Sequence, residues 1–283
     1  MERIIGGVLL AIGICFGIWI LKKGVENWAL VREEKGAWSV IAAGEAVIYF
    51  LATMGISDFL LNTLFIRFFK LTDDRRLPPT LVSACLTPGT IVAFSLLRSE
   101  NSIDAVSLLV CCLCAVAGSF AGSRVVGGLD GARIKKVMAF ALSVCLMVLA
   151  VRTFFTAEGM GTLTGLPPVK LIIAALFTFL WGFLNMFGIP FKPSGMAVFL
   201  LLGLSPLAAL TFTLVVGGIA PLAGGIEVVR RQEYHKKMAC CAVVFGTAGV
   251  IAGTVVAVSI SAVALNIIMM IVLLIAIVSM LRK

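Results

Sequence analysis

Apolar residues run through this chain in long, nearly unbroken stretches separated by short charged segments. The stretches fall at about 4–21, 38–57, 58–69, 80–98, 103–123, 137–155, 169–187, 194–203, 206–226, 238–258 and 262–281. A helix needs ~20 apolar residues to cross a bilayer, so most of these predict membrane-spanning helices. Two of them, 58–69 and 194–203, are too short. Each short stretch follows a full one and a break. The first break is Gly55-Ile56-Ser57-Asp58; the second runs from Gly188 to Gly195 and contains Pro190 and Pro193. Proline removes a backbone hydrogen bond and clashes with the preceding turn. Non-helical backbone at membrane depth persists only where protein buries it or water reaches it. Each full-plus-short pair therefore predicts a broken helix, folded as a re-entrant hairpin.

The breaks belong to a repeat. Gly55-Ile56 and Gly188-Ile189 are 133 residues apart, as are Pro88 and Pro221. Ala117-Gly118-x-x-Ala121-Gly122 matches Ala248-Gly249-x-x-Ala252-Gly253 at a spacing of 131. Small residues spaced in this way let membrane helices pack closely. The expected organisation is a leading helix and interfacial segment over 1–37, a first repeat over 38–156 and a second over 169–283. A small, flexible linker joins the repeats. Within 22–37, Trp28 sits among charged residues, which suits a segment lying at the membrane surface.

Charge fixes the orientation. If both hairpins turn back to the side they entered from, the segments 22–37, 70–79, 124–136 and 227–237 and the C-terminus share one face and hold 17 of the 23 basic residues. Arg3, Arg98, Arg152 and Lys170 lie on the other face. The basic face is the cytoplasmic one by the positive-inside rule, so the N-terminus is expected outside and the C-terminus in the cytoplasm of a cell (inner) membrane. Each half then makes an odd number of crossings, and the second enters from the opposite face. That is the inverted-topology repeat of many secondary transporters, whose broken helices meet near the midplane. The predicted fold class is thus an all-α polytopic membrane protein with two inverted repeats, each a hairpin plus three further helices.

Composition agrees. The apolar set makes up 61% of the 283 residues, charged residues are 13%, and mean hydropathy is +1.13. These values exclude a soluble globular enzyme, a disordered chain and a disulfide-stapled secreted domain. The net charge of +9 resides in loops, where it meets lipid headgroups; no basic, aromatic-interleaved patch suggests nucleic acid. All eight cysteines lie inside apolar runs and read first as packing residues, with a redox or substrate-thiol role as the alternative. With one histidine, His235, no metal or other cofactor is expected.

The breaks carry the candidate chemistry. Lys192 lies between apolar helices, where an uncompensated charge costs ~2.5–3.5 kcal/mol or more. Three readings fit it: binding an anion from a wet cavity, pairing with Asp58 of the other break, or snorkelling to an interface. Asp58 is read as a helix cap, a coupling residue or the partner of Lys192. Ser57 and Ser194 are caps or ligands. Glu45 is either a coupling carboxylate that carries a proton or a solvated residue near the cytoplasmic end. Asn62 and Asn185 either contact cargo or satisfy the backbone freed at Gly55 and Gly188. Thr87, beside Pro88-Gly89, and Thr213, ahead of Gly217-Gly218, offer hydroxyls on the helices that follow the hairpins. His235 is either a pH sensor or an ordinary loop histidine.

The stretches ATMGISDFLL and NMFGIPFKPSG, TLVSACLTPGT and LAALTFTLVVGG, and AVAGSFAGSRVVGG and GTAGVIAGTVV resemble those of the sulfite exporter TauE/SafE permeases over residues 38–283. One departure is that Gly55 and Gly188 stand where that family commonly has several glycines. The resemblance implies transport of sulfite, sulfonates or related small organosulfur anions. Expected partners are a small anionic solute, the lipid bilayer and, as an option, a second copy of the chain. The alternatives are a carrier of small carboxylates, a passive anion channel, a non-transporting membrane subunit, or an enzyme embedded in the membrane, which the lone loop histidine disfavours.

Overall fold

The computed structural model describes residues 2–99, 103–155 and 161–256, with scattered positions between 267 and 278. The last apolar run, 262–281, and linker residues 156–160 lie largely or wholly outside the described residues. The described chain is helical, with a single isolated bridge between Leu163 and Leu204. Its helices are α1 (Glu2–Glu26), α2 (Trp28–Glu33), α3 (Trp38–Thr53), α4 (Asp58–Phe69), α5 (Leu77–Ser99), α6 (Ala105–Val126) and α7 (Gly131–Phe155). They continue as α8 (Pro168–Asn185), α9 (Lys192–Leu201), α10 (Pro206–Ile219), α11 (Leu222–Arg231), α12 (Lys236–Cys241) and α13 (Thr247–Val255). A π-helical turn, Ala242–Gly246, joins the last two into one continuous span. Six spans among the described residues are long and apolar enough to cross a membrane. This is an all-α, multi-pass membrane protein.

Both predicted breaks are present. Helix α3 stops at Thr53 and α4 begins at Asp58; α8 stops at Asn185 and α9 begins at Lys192. At each break one glycine takes a left-handed backbone, Gly55 at φ +95° and Gly188 at φ +82°. A Cβ disfavours that conformation, which explains the glycine at both positions.

Glycines also decide which helices touch. A methyl at Gly118 or Gly122 would overlap the backbone carbonyls of Phe179 and Phe183, so α6 lies directly on α8. A methyl at Gly182 would overlap the Ala115 carbonyl from the other side. At the matching spacing, Gly249 of α13 meets the Ala46 carbonyl, and Gly253 meets Thr53 and the Phe50 carbonyl on α3. The first helix of each half therefore packs against the glycine-spaced helix of the other half. Between them α5 and α10 cross backbone to backbone at Gly89 and Gly218. Helix α1 lies on α5, where the Thr87 hydroxyl donates to the Gly13 carbonyl at 3.2 Å.

The linker is less free than its composition suggests. Leu163 exchanges backbone bonds with Gly203 and Ser205, Asp104 N–H donates to Thr164, and Leu166 N–H donates to the Ser107 hydroxyl. From Gly161 onward it is pinned between the end of α9 and the start of α6.

A second set of polar contacts fastens the leading segment at the basic rim. The Glu34 carboxylate accepts the backbone N–H groups of Lys236 at 3.0 Å and Lys237 at 2.7 Å, capping α12. The Lys237 ammonium donates to the carbonyls of Glu34 and of Gly36, the latter at 3.2 Å. His235 is almost wholly buried. Its Nδ1 accepts from Met238 N–H at 3.2 Å, its Nε2 faces the Lys35 carbonyl at 3.1 Å, and Glu34 lies 3.5 Å from Nδ1. Asn27 and Gln232 close the ring at 3.1 Å.

Two predictions follow from this packing. Gly118→Ala and Gly249→Ala each force a helix pair apart and lower stability by about 1–3 kcal/mol. Gly7→Ala, whose added methyl meets nothing within 4 Å, does not. Thermal unfolding of the solubilised protein compares the three. The second concerns His235. Burial lowers its pKa from the ordinary 6.5, opposed by Glu34, while Lys237 and Arg76 add to the lowering. The folded state thus holds the ring neutral more strongly than the unfolded state does. The stability this contributes is present above pH 6.5 and is lost as pH falls below it. Protection factors for hydrogen exchange over 27–36 and 232–241, corrected for the intrinsic pH dependence of amide exchange, are expected to fall between neutral and mildly acidic pH, and His235→Gln to remove that dependence.

Candidate functional site

The two breaks meet. The Lys192 ammonium lies 2.7 Å from the Asp58 carboxylate, and it also donates to the Ile56 carbonyl at 3.4 Å. Lys192 is 9% exposed and Asp58 is 4% exposed. Of the three readings of Lys192, pairing with Asp58 is the one realised in this conformation. Burying two charges is costly, and the pair holds only because geometry and additional hydrogen bonds repay the desolvation. The Ile56 carbonyl supplies one such bond and is itself an acceptor freed by the break at Gly55.

The second break is satisfied locally. Trp181 Nε1 donates to the Pro190 carbonyl at 3.2 Å, and Asn185 Nδ2 donates to the Ile189 carbonyl at 3.2 Å. Asn185 therefore serves the freed backbone. Ser57 occupies the N-cap position of α4 but its side chain makes no capping bond. Asp58 is the first residue of α4 and spends its carboxylate on Lys192 instead of on a cap. Ser194 lies within α9 and donates to the Phe191 carbonyl at 3.1 Å.

The pair borders a cavity lined by Tyr49, Cys85, Gly89, Leu214, Gly217 and Gly218, among others. Its volume is ≈ 10 Å³, about the room of one water. The site is closed in this state. Glu45 and Tyr49, four residues apart, share one face of α3 and both are fully buried. Neither Glu45 oxygen nor the Tyr49 hydroxyl has a hydrogen-bond partner among the described residues, and the same holds for Oδ1 of Asn62, which lies beside both. The solvated reading of Glu45 is thereby corrected: the carboxyl is fully buried, with Asp58 and Asn62 of α4, Cys85 of α5 and Cys241 of α12 around it. Such orphaned polar atoms are rare in folded proteins, and three of these residues cluster here. Gly246, in the π turn, packs on the Tyr49 ring; π turns inside α-helices often mark functional sites.

Thr87 and Thr213 are not brought to this cluster through their hydroxyls. Thr87 bonds α1, and Thr213 donates to the Ala209 carbonyl of its own helix at 2.6 Å. Tyr49 and Cys85 were missed by sequence reasoning. Two signals pointed to them: Tyr49 is one of only two tyrosines and stands one turn from Glu45, and Cys85 stands one turn before Gly89. The seven described cysteines are free thiols.

A much larger cavity, ≈ 620 Å³, lies elsewhere, between α1, α6, α10 and α11. Its walls are apolar side chains such as Leu9, Phe16, Leu108 and Val215, so it offers a charged solute nothing. Volume alone is a poor guide in a membrane protein, and the polar cluster at the breaks is the candidate site. Comparison with known proteins finds no matching family model, no matching curated protein and no matching solved structure.

A double-mutant cycle tests the pair. Asp58→Asn or Lys192→Gln alone leaves one buried charge without its partner and costs about 3–5 kcal/mol. The double substitution removes both charges and recovers most of that loss, a coupling that thermal unfolding of the four proteins measures.

Proposed function

We propose that this protein is a secondary transporter of small anions, built from two inverted repeats that move about the paired breaks. The cargo class is sulfite, sulfonates or related organosulfur anions. The observation that carries the reading is the Lys192–Asp58 pair, which joins the two breaks across a nearly closed cavity. The matching left-handed glycines and the matching contacts of Gly118 and Gly249 support the repeat. The likeness of the broken-helix stretches to TauE/SafE permeases supports the cargo class. On this reading the basic rim faces the cytoplasm of the cell membrane and the N-terminus lies outside.

The physics of the pair suggests how cargo and coupling meet. An anion reaches Lys192 only by displacing Asp58, so entry requires the pair to open. An anion that takes the place of Asp58 leaves that carboxylate buried without its counter-charge. A proton arriving with the anion restores the balance at Asp58. Glu45, buried and unpartnered nearby, is the second acid available to carry it. Transport is then an anion–proton symport, with alternating access provided by relative motion of the helices around the breaks.

Binding is read by thermal shift and transport by proteoliposome uptake, each with sulfite, sulfoacetate and taurine set against acetate and lactate. A sulfur oxyanion or sulfonate is expected to stabilise the wild type and to accumulate when a proton gradient is applied. The double variant Asp58→Asn/Lys192→Gln is expected to fold and to bind no anion. Asp58→Asn, in whatever fraction folds, is expected to exchange anion without responding to the gradient. Undiminished binding by the double variant overturns the site, and a response to carboxylates alone overturns the sulfur assignment.

A further inference from the structure

A polar cavity lies at the basic rim; it shares no lining residue with the cavity at the breaks and differs from it in chemistry. Its volume is ≈ 530 Å³, and three separate segments wall it: the end of α2, the turn from Lys70 to Arg76, and the stretch around His235 and Lys236. Four cations face it, Lys35, Lys70, Arg76 and Lys236, against Glu33, Glu34 and Asp73.

Formal counting understates the imbalance. Glu34 directs both carboxylate oxygens to the backbone N–H groups that open α12, so neither oxygen is turned to the side chains of the four cations. His235 contributes no free acceptor, because both ring nitrogens are engaged. Asp73 turns one oxygen back to the Arg76 backbone N–H at 2.9 Å. None of the four cations forms an ion pair with a carboxylate among the described residues, whereas Arg67 and Arg75 at the same rim do, with Asp74 and Glu233. Lys236 is nearly buried, and its ammonium donates to the Gln232 carbonyl at 3.0 Å, leaving two further donor positions. The Thr72 hydroxyl adds a neutral donor.

We propose that this cavity binds a phosphate group, presented by an anionic lipid headgroup or by a soluble phosphate ester. A guanidinium and three ammoniums carried by the walls of one cavity suit a tetrahedral anion with several acceptor oxygens. The cavity is far larger than an isolated carboxylate needs, and its wall also holds exposed Leu30. Phe68 and Phe69, exposed directly before Lys70, give apolar surface for an acyl chain beside the same turn. Bound there, the phosphate bridges the leading segment to the turn after α4 and the turn before α12. It therefore stabilises the protein by a route independent of the Lys192 site.

The experiment uses the purified full-length protein, with thermal unfolding and native mass spectrometry as readouts. The probes are inorganic phosphate and mixed micelles containing phosphatidylglycerol or phosphatidylcholine. Phosphatidylglycerol is expected to bind and raise the unfolding temperature, and phosphatidylcholine to do neither. Lys70→Gln/Arg76→Gln, two exposed side chains, is expected to lower that affinity by about tenfold or more. Arg133→Gln, an exposed cation outside the cavity, leaves it unchanged. If inorganic phosphate also binds and competes with the lipid, the group alone suffices and a soluble ester is a ligand. If it does not, the lipid is the source. Equal stabilisation of wild type and the double variant, or none by either probe, overturns the proposal. Neither result bears on anion binding at Lys192, so the two sites stand or fall separately.

Discussion

An ammonium and a carboxylate 2.7 Å apart, in an interior with room for about one water, set the terms for everything around them. Neither charge can be buried alone at that depth without a penalty comparable to the stability of a whole domain. The pair therefore obliges the two breaks to meet, because only there do Lys192 and Asp58 reach each other. It also answers the backbone problem that each break creates. Lys192 takes up the Ile56 carbonyl, while Trp181 and Asn185 take up those of Pro190 and Ile189. Electrostatics and backbone satisfaction are solved by the same few residues.

Much of this was legible in the sequence because it depends on short-range rules. Glycine at Gly55 and Gly188, proline at Pro190 and run lengths too short to span point directly to broken helices. The spacing of Gly118 and Gly122 against Gly249 and Gly253 points to close packing. What the sequence did not show is which helix each glycine meets, since that is a property of three-dimensional exchange between distant segments. The same limit hid the site's neighbours. Glu45 looked close to an aqueous end by counting residues, yet it is fully buried beside α4 and α12. Cys85 read as a packing residue and Tyr49 carried no reading of its own; their position beside the charge pair is set by α5 and the π turn. Thr87 looked available for cargo because nothing local occupied its hydroxyl; α1, remote in sequence, does.

The rim follows a different logic from the interior. Its exposed ion pairs, such as Arg75 with Glu233, contribute little singly. Stability at that end comes instead from multiple bonds to one group: the Glu34 carboxylate capping α12 and the Lys237 ammonium gathering carbonyls from the preceding loop. These contacts tie residues more than 200 positions apart. They make the leading segment part of the folded body and not an appendage to it.

The exchanged contacts of the glycine-spaced helices have a mechanical meaning. Because α6 lies on α8 and α13 lies on α3, the units that hold together by backbone contact are each assembled from both sides of the linker. A hinge that separated residues before the linker from residues after it would have to tear both of those seams. The units held by backbone contact are therefore mixed ones, α3 with α13 and α6 with α8, and any relative motion in this fold has to carry each of them whole, past a third close crossing where Gly89 of α5 meets Gly218 of α10 with no side chain in between.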